Sequence, residues 1–257
     1  MSRLISVLLA SAALLSVSMV HAEERSAVHL FVADHSEPVV RAIDGRTDRT
    51  LATFGVASPA ALYASESGRS VFAVQGEGNR VTAFTSGIEI DDHGDHGDIE
   101  IETPKAAGVE IGGERPVHFV DHHGNIALFF DGEGIARIVR EGDVLDGKAE
   151  PREVKTEAPH HGVAISYGDH VVVSWPNRTD PTKNPDGVRV LDGAGAQIGP
   201  DVECPNLHGE ASSGNLLAIA CQTGLLLVKA EGGTPGITHL PYSAGLPRDT
   251  KVSTLLG

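Results

Sequence analysis

The chain has 257 residues, with 35 acidic and 20 basic side chains and a formal net charge of −15. This acidic balance excludes a nucleic-acid binder, because a protein that neutralises phosphates needs a cationic surface. Apolar residues make up 40% of the sequence, which is enough to build a core, whereas aromatic residues make up only 4%. Thirteen histidines are present, and because imidazole is a common ligand of transition metals, this abundance favours a metal-binding function.

Residues 1–22 have the pattern of a secretory signal peptide. One basic residue, Arg3, precedes an apolar run from Leu4 to Val20, and a small-residue cleavage pattern ends at Ala22. The run is short for a membrane-spanning helix, and acidic residues follow it directly. We therefore predict cleavage after Ala22, export from the cytoplasm, and a single domain over residues 23–257 without membrane insertion.

Four segments of the remaining sequence resemble one another. Each begins at a proline, has a glycine eight or nine residues later, and carries short apolar runs separated by glycine-centred turns. Nothing between these runs has the length or the 3.6-residue period of a helix, and such runs joined by tight turns are typical of antiparallel hairpins. A period of about 45 residues with four strands per unit indicates propeller blades. The segments start at Pro59, Pro116, Pro159 and Pro205.

The sequence thus predicts an all-β fold, a β-propeller of four-stranded antiparallel blades. A β-sandwich, the rival all-β fold, would not repeat its own sequence in this way. Residues 23–57 provide one partial blade, the four repeats provide four more, and another blade begins at Pro247. Because a ring of seven or eight blades needs about 315–360 residues, we expect about five blades here and an incomplete ring.

An acidic and histidine-rich loop occupies residues 91–98, with the sequence Asp-Asp-His-Gly-Asp-His-Gly-Asp. Two imidazoles favour zinc and its neighbours over calcium. We therefore predict that His93, Asp95 and His96 form a second, lower-affinity metal site or a delivery loop, on the face opposite the main site described next. The alternative interpretation is a solvated acidic loop.

Three consecutive repeats carry a histidine near the start of their innermost strand. His118 and His161 lie two residues after the repeat proline, and His208 lies three residues after it. Innermost strands converge on the ring axis, so the three imidazoles are expected to meet and to bind Zn²⁺ with a fourth position left open. Glu210 and Asp121 are candidates for a further oxygen ligand, or for carboxylates that orient the imidazoles.

Two questions about this predicted site stay open at the level of sequence. The repeat alignment shifts by one residue at His160-His161, so the sequence does not decide which of the two faces the axis. A histidine beside a strand can also be a hydrogen-bonded structural residue, although recurrence in three blades argues against that. The inserted loop from Pro176 to Asp186 is expected to overhang the same face, as a lid or a docking element.

The two cysteines, Cys204 and Cys221, are predicted to form a disulfide. Export to an oxidising compartment favours this pairing. Zinc thiolates are the alternative, but two cysteines at this distance do not show zinc-ribbon spacing.

Several of these motifs resemble the AztD-type periplasmic zinc chaperones. The likeness covers almost the whole chain after the signal peptide, and it implies a β-propeller that binds zinc and hands it to the solute-binding protein of a zinc ABC importer. Members of that family are longer at the C-terminus, which implies that further blades are missing from this sequence. The motifs are ERPVHFVDHHGNIALFFDGEG from Glu114, APHHGVAI from Ala158, CPNLHGEASSGNLLAIAC from Cys204, DHGDHGDI from Asp92 and KVSTLLG from Lys251.

Taken together, the residues favour a zinc chaperone and not an enzyme. The alternative is a secreted metal-dependent hydrolase of the propeller lactonase kind, because a three-histidine site with an open position can activate water. The absence of a clear general base and the scarcity of aromatic residues count against it. A scaffold that uses only a propeller face has no reason to place histidines in register.

Overall fold

The computed structural model describes residues 26–93, 97–231 and 233–246, together with residues 252, 254 and 255. Three predicted features lie outside the described residues: the signal peptide, the further blade expected from Pro247, and Asp95 and His96 of the acidic and histidine-rich segment at residues 91–98. Across the described ranges, no helix is both long enough and apolar enough to cross a membrane.

The described residues form six antiparallel sheets. Five of them follow one another along the chain and are here numbered blades 1 to 5, and the sixth is a two-stranded hairpin inserted in the sequence of blade 2. Blade 1 contains β1 (His29–Asp34), β2 (Val39–Asp44) and β3 (Thr50–Gly55). Blade 2 contains β4 (Ala61–Ala64), β5 (Ser70–Gln75), β6 (Arg80–Thr85), an inserted hairpin of β7 (Ile88–Asp92) and β8 (Gly97–Ile101), and β9 (Lys105–Gly112). Blade 3 contains β10 (Pro116–His122), β11 (Asn125–Phe130), β12 (Ile135–Arg140), the helix α1 (Glu141–Leu145) and β13 (Arg152–Lys155). Blade 4 contains β14 (Ala164–Tyr167), β15 (His170–Trp175), β16 (Gly187–Leu191) and β17 (Gln197–Glu203). Blade 5 contains β18 (Glu210–Ser213), β19 (Leu216–Cys221), β20 (Gly224–Glu231) and β21 (Thr234–Pro241).

The predicted β-propeller architecture of four-stranded antiparallel blades is confirmed, with four strands in each of blades 2 to 5. Within each of these blades the strands pair in sequence order, as in the β10–β11 register Phe119↔Leu128. Tight turns allow consecutive strands to pair in this way. In the turn between β10 and β11, for example, His123 and Gly124 have φ values of 54° and 71°. Two residues with positive φ make a hairpin turn whose twist matches that of the flanking strands.

Two local elements differ from the sequence-based expectation. Strands β7 and β8 pair with each other, so the described ends of the acidic segment that was expected as a loop belong to two paired strands, with Asp91 opposite Asp98. The short helix α1 was also not expected, because five residues are too few to show a helical period. Its Glu141 carboxylate accepts hydrogen bonds from the hydroxyl groups of Ser67 and Ser70 and so ties blade 3 to blade 2.

The hydrophobic core lies between neighbouring blades. The second strand of a blade packs on both faces, so it is a continuous apolar run, and all six residues of β5 are buried. Phe72 of blade 2 and Leu128 of blade 3, for example, belong to one buried cluster. Burial of a side chain of this size stabilises the fold by about 1.5–3 kcal/mol, so the blades hold one another in register.

The predicted disulfide is confirmed, since Cys204 is bonded to Cys221. Both cysteines are buried in the cluster shared by blades 4 and 5. The bond links the segment that enters blade 5 to the end of β19. It therefore fixes the short approach to β18, on which one of the predicted zinc ligands lies.

Candidate metal centre

The three predicted histidines lie at the same end of three consecutive blades. We call the face of the propeller at this end the histidine face. His118 belongs to the start of β10, where a bulge shifts the register between Pro116 and His118. His161 and His208 come just before β14 and β18. The backbone of His208 is held by a hydrogen bond from its N–H to the carbonyl of Ala220, at 3.1 Å.

The three imidazole rings converge, as the repeat predicts. The ring centroids of His118 and His161 are 4.7 Å apart, those of His161 and His208 are 5.4 Å apart, and those of His118 and His208 are 6.1 Å apart. A tetrahedral Zn²⁺ with bonds of 2.0–2.1 Å places neighbouring ligand nitrogens about 3.3 Å apart and ring centroids about 5 Å apart. The Nε2 atoms of His118 and His161 are 3.2 Å apart, which matches one edge of such a site.

The third ring is not yet in the position that a bound ion requires. No group of three or more described His, Cys, Asp or Glu side chains has the geometry of a finished metal site. The longest centroid distance, from His118 to His208, exceeds the tetrahedral value by about 1 Å. A small inward movement of the His208 ring is therefore needed for all three nitrogens to share one ion.

Two carboxylates lie close to the Nδ1 atoms of two of the histidines. Glu210 Oε1 lies 3.5 Å from Nδ1 of His118, so the predicted carboxylate contacts a ligand ring. The other carboxylate, Asp131, was not among the sequence candidates, and its Oδ2 lies 2.7 Å from Nδ1 of His161. It directly follows β11 and reaches across from blade 3 to blade 4. The signal that could have found it is an aspartate directly after a buried apolar strand.

The structure answers which of the two adjacent histidines faces the site. His160 uses both ring nitrogens elsewhere: Nδ1 bonds the carbonyl of Ala158 at 2.8 Å, and Nε2 bonds the hydroxyl of Ser174 at 2.9 Å. It is 4% exposed, and this burial lowers its pKa, which keeps the ring neutral. His161 is therefore the member of the pair that joins the cluster, and His160 packs beneath it.

The tentative assignment of Asp121 to this site is corrected by the structure. Its two carboxylate oxygens accept hydrogen bonds from the backbone N–H groups of Glu66 and Gly124, both at 2.9 Å. It lies three residues beyond His118 at the far end of β10, and an odd number of steps along a strand reverses the side-chain direction. Asp121 thus holds a turn at the opposite end of the blade.

Burial and charge act against each other on His118. Burial disfavours its charged form, but the nearby carboxylates of Glu210 and Asp131 outweigh burial and raise the pKa of the ring above its ordinary value. The same negative field favours any cation at this place. The arrangement can therefore hold a divalent ion that prefers nitrogen ligands, with carboxylates that orient two of the rings.

The inserted loop at residues 176–186 lies beside the centre and contacts the approach to His208. Asn184 donates a hydrogen bond from Nδ2 to Oδ1 of Asn206 at 2.9 Å, and the Leu207 N–H donates to the carbonyl of Pro185 at 3.0 Å. The loop also carries an internal bond from Asn177 to Asp186. The loop therefore supports the backbone next to His208, on the histidine face, where it was expected.

The described part of the acidic and histidine-rich segment at residues 91–98 lies at the β7–β8 hairpin, on the face opposite the histidine face. Arg69, in the turn that ends the innermost strand of blade 2, forms an ion pair with Glu89 of this hairpin. His93 Nε2 lies 3.7 Å from a carboxylate oxygen of Asp91 and 3.6 Å from one of Asp98. The described part of the cluster thus places one imidazole between two carboxylates.

The chain is similar to proteins of known structure. The chain is 48% identical over 235 residues to the zinc chaperone AztD of Citrobacter koseri, a match that covers 91% of this chain and 56% of the relative. The chain is similar to AztD over most of its own length. The crystal structure of Citrobacter koseri AztD has a TM-score of 0.87 at 48% identity, and the match covers 90% of this chain and 62% of that chain. Apo AztD from the same organism also has a TM-score of 0.87, at 46% identity over 91% of this chain and 63% of that chain.

No family model matches the chain, so the relationship rests on AztD itself. It confirms the resemblance that the motifs indicate, and it confirms the propeller fold. The chain spans 56% of the length of the curated AztD relative. The activity and partners of the whole protein are therefore treated as proposals below.

Proposed function

We propose that this chain is a zinc-binding chaperone that holds Zn²⁺ between His118, His161 and His208. The observation that carries this proposal is the convergence of the three imidazoles from consecutive blades, with two Nε2 atoms 3.2 Å apart. The AztD relative, which is named a zinc chaperone, supports it. The net charge of −15 also favours the capture of a cation.

Two buried oxygen atoms at the centre favour a cation further. Oδ1 of Asp131 and Oε2 of Glu210 are buried without a hydrogen-bond partner in the described structure. Burying an unpaired carboxylate oxygen is costly, because it loses its hydration without a replacement. A divalent ion held by the adjacent imidazoles offsets this cost through its charge. Glu210 Oε1 faces Nδ1 of His118 at 3.5 Å, so in this proposal Glu210 orients that ring and leaves the fourth position of the ion open.

We infer that zinc leaves the protein by direct ligand exchange. A carrier that binds tightly releases its ion slowly by dissociation alone, whereas an incoming side chain can occupy the open fourth position as one histidine departs. The recipient that we propose is the solute-binding protein of a zinc ABC importer, in the periplasm. In this proposal the chain performs no catalysis, and His93, Asp95 and His96 provide a second site or a delivery loop.

The test of this function combines binding and transfer. Purified protein is titrated with zinc against a chromophoric chelator, beside the triple variant His118→Ala, His161→Ala, His208→Ala. A control variant replaces three histidines away from the centre, His35, His170 and His239. We expect one tight site in the wild type and in the control, and its loss in the triple variant. Unchanged affinity in the triple variant would falsify the ligand set.

The transfer step is then measured directly. Zinc-loaded protein is mixed with an apo zinc solute-binding protein in the presence of a chelator that captures free zinc. Delivery by ligand exchange loads the acceptor faster than zinc dissociates into the chelator alone. If the acceptor gains zinc only at the rate of free dissociation, the chain is a store and not a chaperone.

The rival function is a metal-dependent hydrolase. The same centre could activate a water molecule at its open position. However, the two carboxylates beside it, Asp131 and Glu210, both face ring nitrogens of the histidines and not the open side. A screen of the zinc-loaded protein with lactones and activated esters distinguishes the two functions, since turnover that is lost in the triple variant would establish the hydrolase.

A further inference from the structure

The shortest side-chain contact of Asp131 is with the ring of His161. Its side chain is 2% exposed, and Oδ2 lies 2.7 Å from Nδ1 of His161. Among the described residues, the guanidinium of Arg115 also approaches this oxygen, at 3.8 Å, from a side chain that is 67% exposed. The second oxygen, Oδ1, is buried without a hydrogen-bond partner among the described residues.

A buried aspartate with a purely structural role looks different in the same blade. Asp121 is also buried, but both of its oxygens accept backbone N–H groups, at 2.9 Å each, and so close a turn. Asp131 closes no turn with its side chain. Since leaving a buried carboxylate half satisfied is costly, its position is best explained by the imidazole that it contacts.

The contact determines where His161 carries its proton. A carboxylate accepts hydrogen bonds only, so in the neutral ring of His161 the proton is on Nδ1, and Nε2 keeps its lone pair. Nε2 of His161 also faces Nε2 of His118 at 3.2 Å. With no proton on the His161 side, the hydrogen bond between the two rings uses a proton on Nε2 of His118.

We propose that Asp131 is a positioning residue that presets Nε2 of His161 as the first atom to bind zinc. His118 is then the ring that adapts: it loses the proton on Nε2 and carries one on Nδ1 instead, facing Glu210 Oε1 at 3.5 Å. His161 binds without any change of tautomer. This inference rests on the proposed zinc site and adds an order to its ligands.

The test compares two matched substitutions in blade 3. Asp131→Asn keeps the shape of the side chain but can offer an NH₂ group to Nδ1, which favours the wrong tautomer of His161. We expect zinc to bind ten- to a hundredfold more weakly, as is typical when a carboxylate behind a ligand histidine is lost. Asp121→Asn, the control, removes a buried charge from a turn and leaves zinc affinity unchanged whatever it does to the unfolding temperature.

A second measurement needs no variant and reports the tautomer itself. Nitrogen-15 NMR of the histidine rings in the zinc-free wild-type protein is expected to show His161 protonated on Nδ1. A His161 protonated on Nε2 would overturn the proposal, as would wild-type zinc affinity in Asp131→Asn. His161→Ala separates the two levels of inference. If this variant loses zinc while Asp131→Asn does not, only the positioning role fails, and if it keeps zinc, the proposed site fails.

Discussion

Replacing Gly162 by alanine tests the packing that supports the metal centre. Gly162 follows His161, and a Cβ placed on it would lie 2.3 Å from Cζ of Phe129, 2.5 Å from Cε1 of Phe129 and 2.7 Å from Nε2 of His160. Non-bonded carbon atoms normally approach to about 3.5–4.0 Å. Phe129 and His160 are both buried, so neither ring can move into solvent to relieve the contact.

The expected cost follows from this overpacking. Added methyl groups in a well-packed core cost about 1–3 kcal/mol, and 1 kcal/mol shifts the unfolding midpoint of a domain of this size by about 2–4 °C. Gly162→Ala should therefore lower the midpoint by about 2–12 °C. It should also weaken zinc binding, because displacement of His160 moves the adjacent His161.

Thermal unfolding followed by circular dichroism, with a zinc titration of the folded protein, measures both effects. Gly55→Ala is the control, because nothing lies within 4 Å of its added Cβ, and it should change stability by less than about 0.5 kcal/mol. If Gly162→Ala unfolds at the same temperature as Gly55→Ala and binds zinc as the wild type does, the close packing of His160 and Phe129 beneath the centre is wrong.

Three further outcomes are expected. Replacing Cys204 and Cys221 together by alanine removes a cross-link between residues 17 apart; this should cost about 3 kcal/mol and weaken zinc binding, and equal melting curves would refute it. Burial, helped by the adjacent imidazole of His123, lowers the pKa of His122, so its contribution to stability is present above about pH 6.5 and is lost as the pH falls below it. His122→Phe should flatten the pH dependence of the free energy of unfolding, and an unchanged slope would contradict this. Zinc affinity should decrease as the pH is lowered, because protonated imidazole cannot bind the ion. Glu210 raises the pKa of His118, so Glu210→Gln should move that fall to lower pH, and an unshifted profile would argue against the contact.

The blades could be predicted because their determinants are local. A proline, a glycine-centred turn and an apolar run recur in each repeat, and each of these features acts within a few residues. The β7–β8 hairpin escaped prediction because its acidic residues are unusual in strands. They pair there because the hairpin is exposed and its charges remain in solvent, as the exposed Glu89 shows.

The site was predictable where it follows the repeat and unpredictable where it depends on contacts between blades. His118, His161 and His208 occupy equivalent positions, so the repeat alone brings them together. Asp131 follows a strand of blade 3, whereas the ring that it contacts comes just before a strand of blade 4. Finding it requires knowing which strand ends meet across the interface between blades. Asp121 was assigned by its nearness in sequence, which the alternation of side chains along a strand overrides.

The central claim is that three imidazoles of this chain surround one zinc ion. X-ray absorption at the zinc edge, on protein loaded with one equivalent of zinc, tests it most directly. We expect a first shell that contains about three imidazole nitrogens at 2.0–2.1 Å, and loss of this signal in the variant that lacks His118, His161 and His208. A shell of oxygen alone, or a nitrogen shell that persists in the triple variant, would contradict the account.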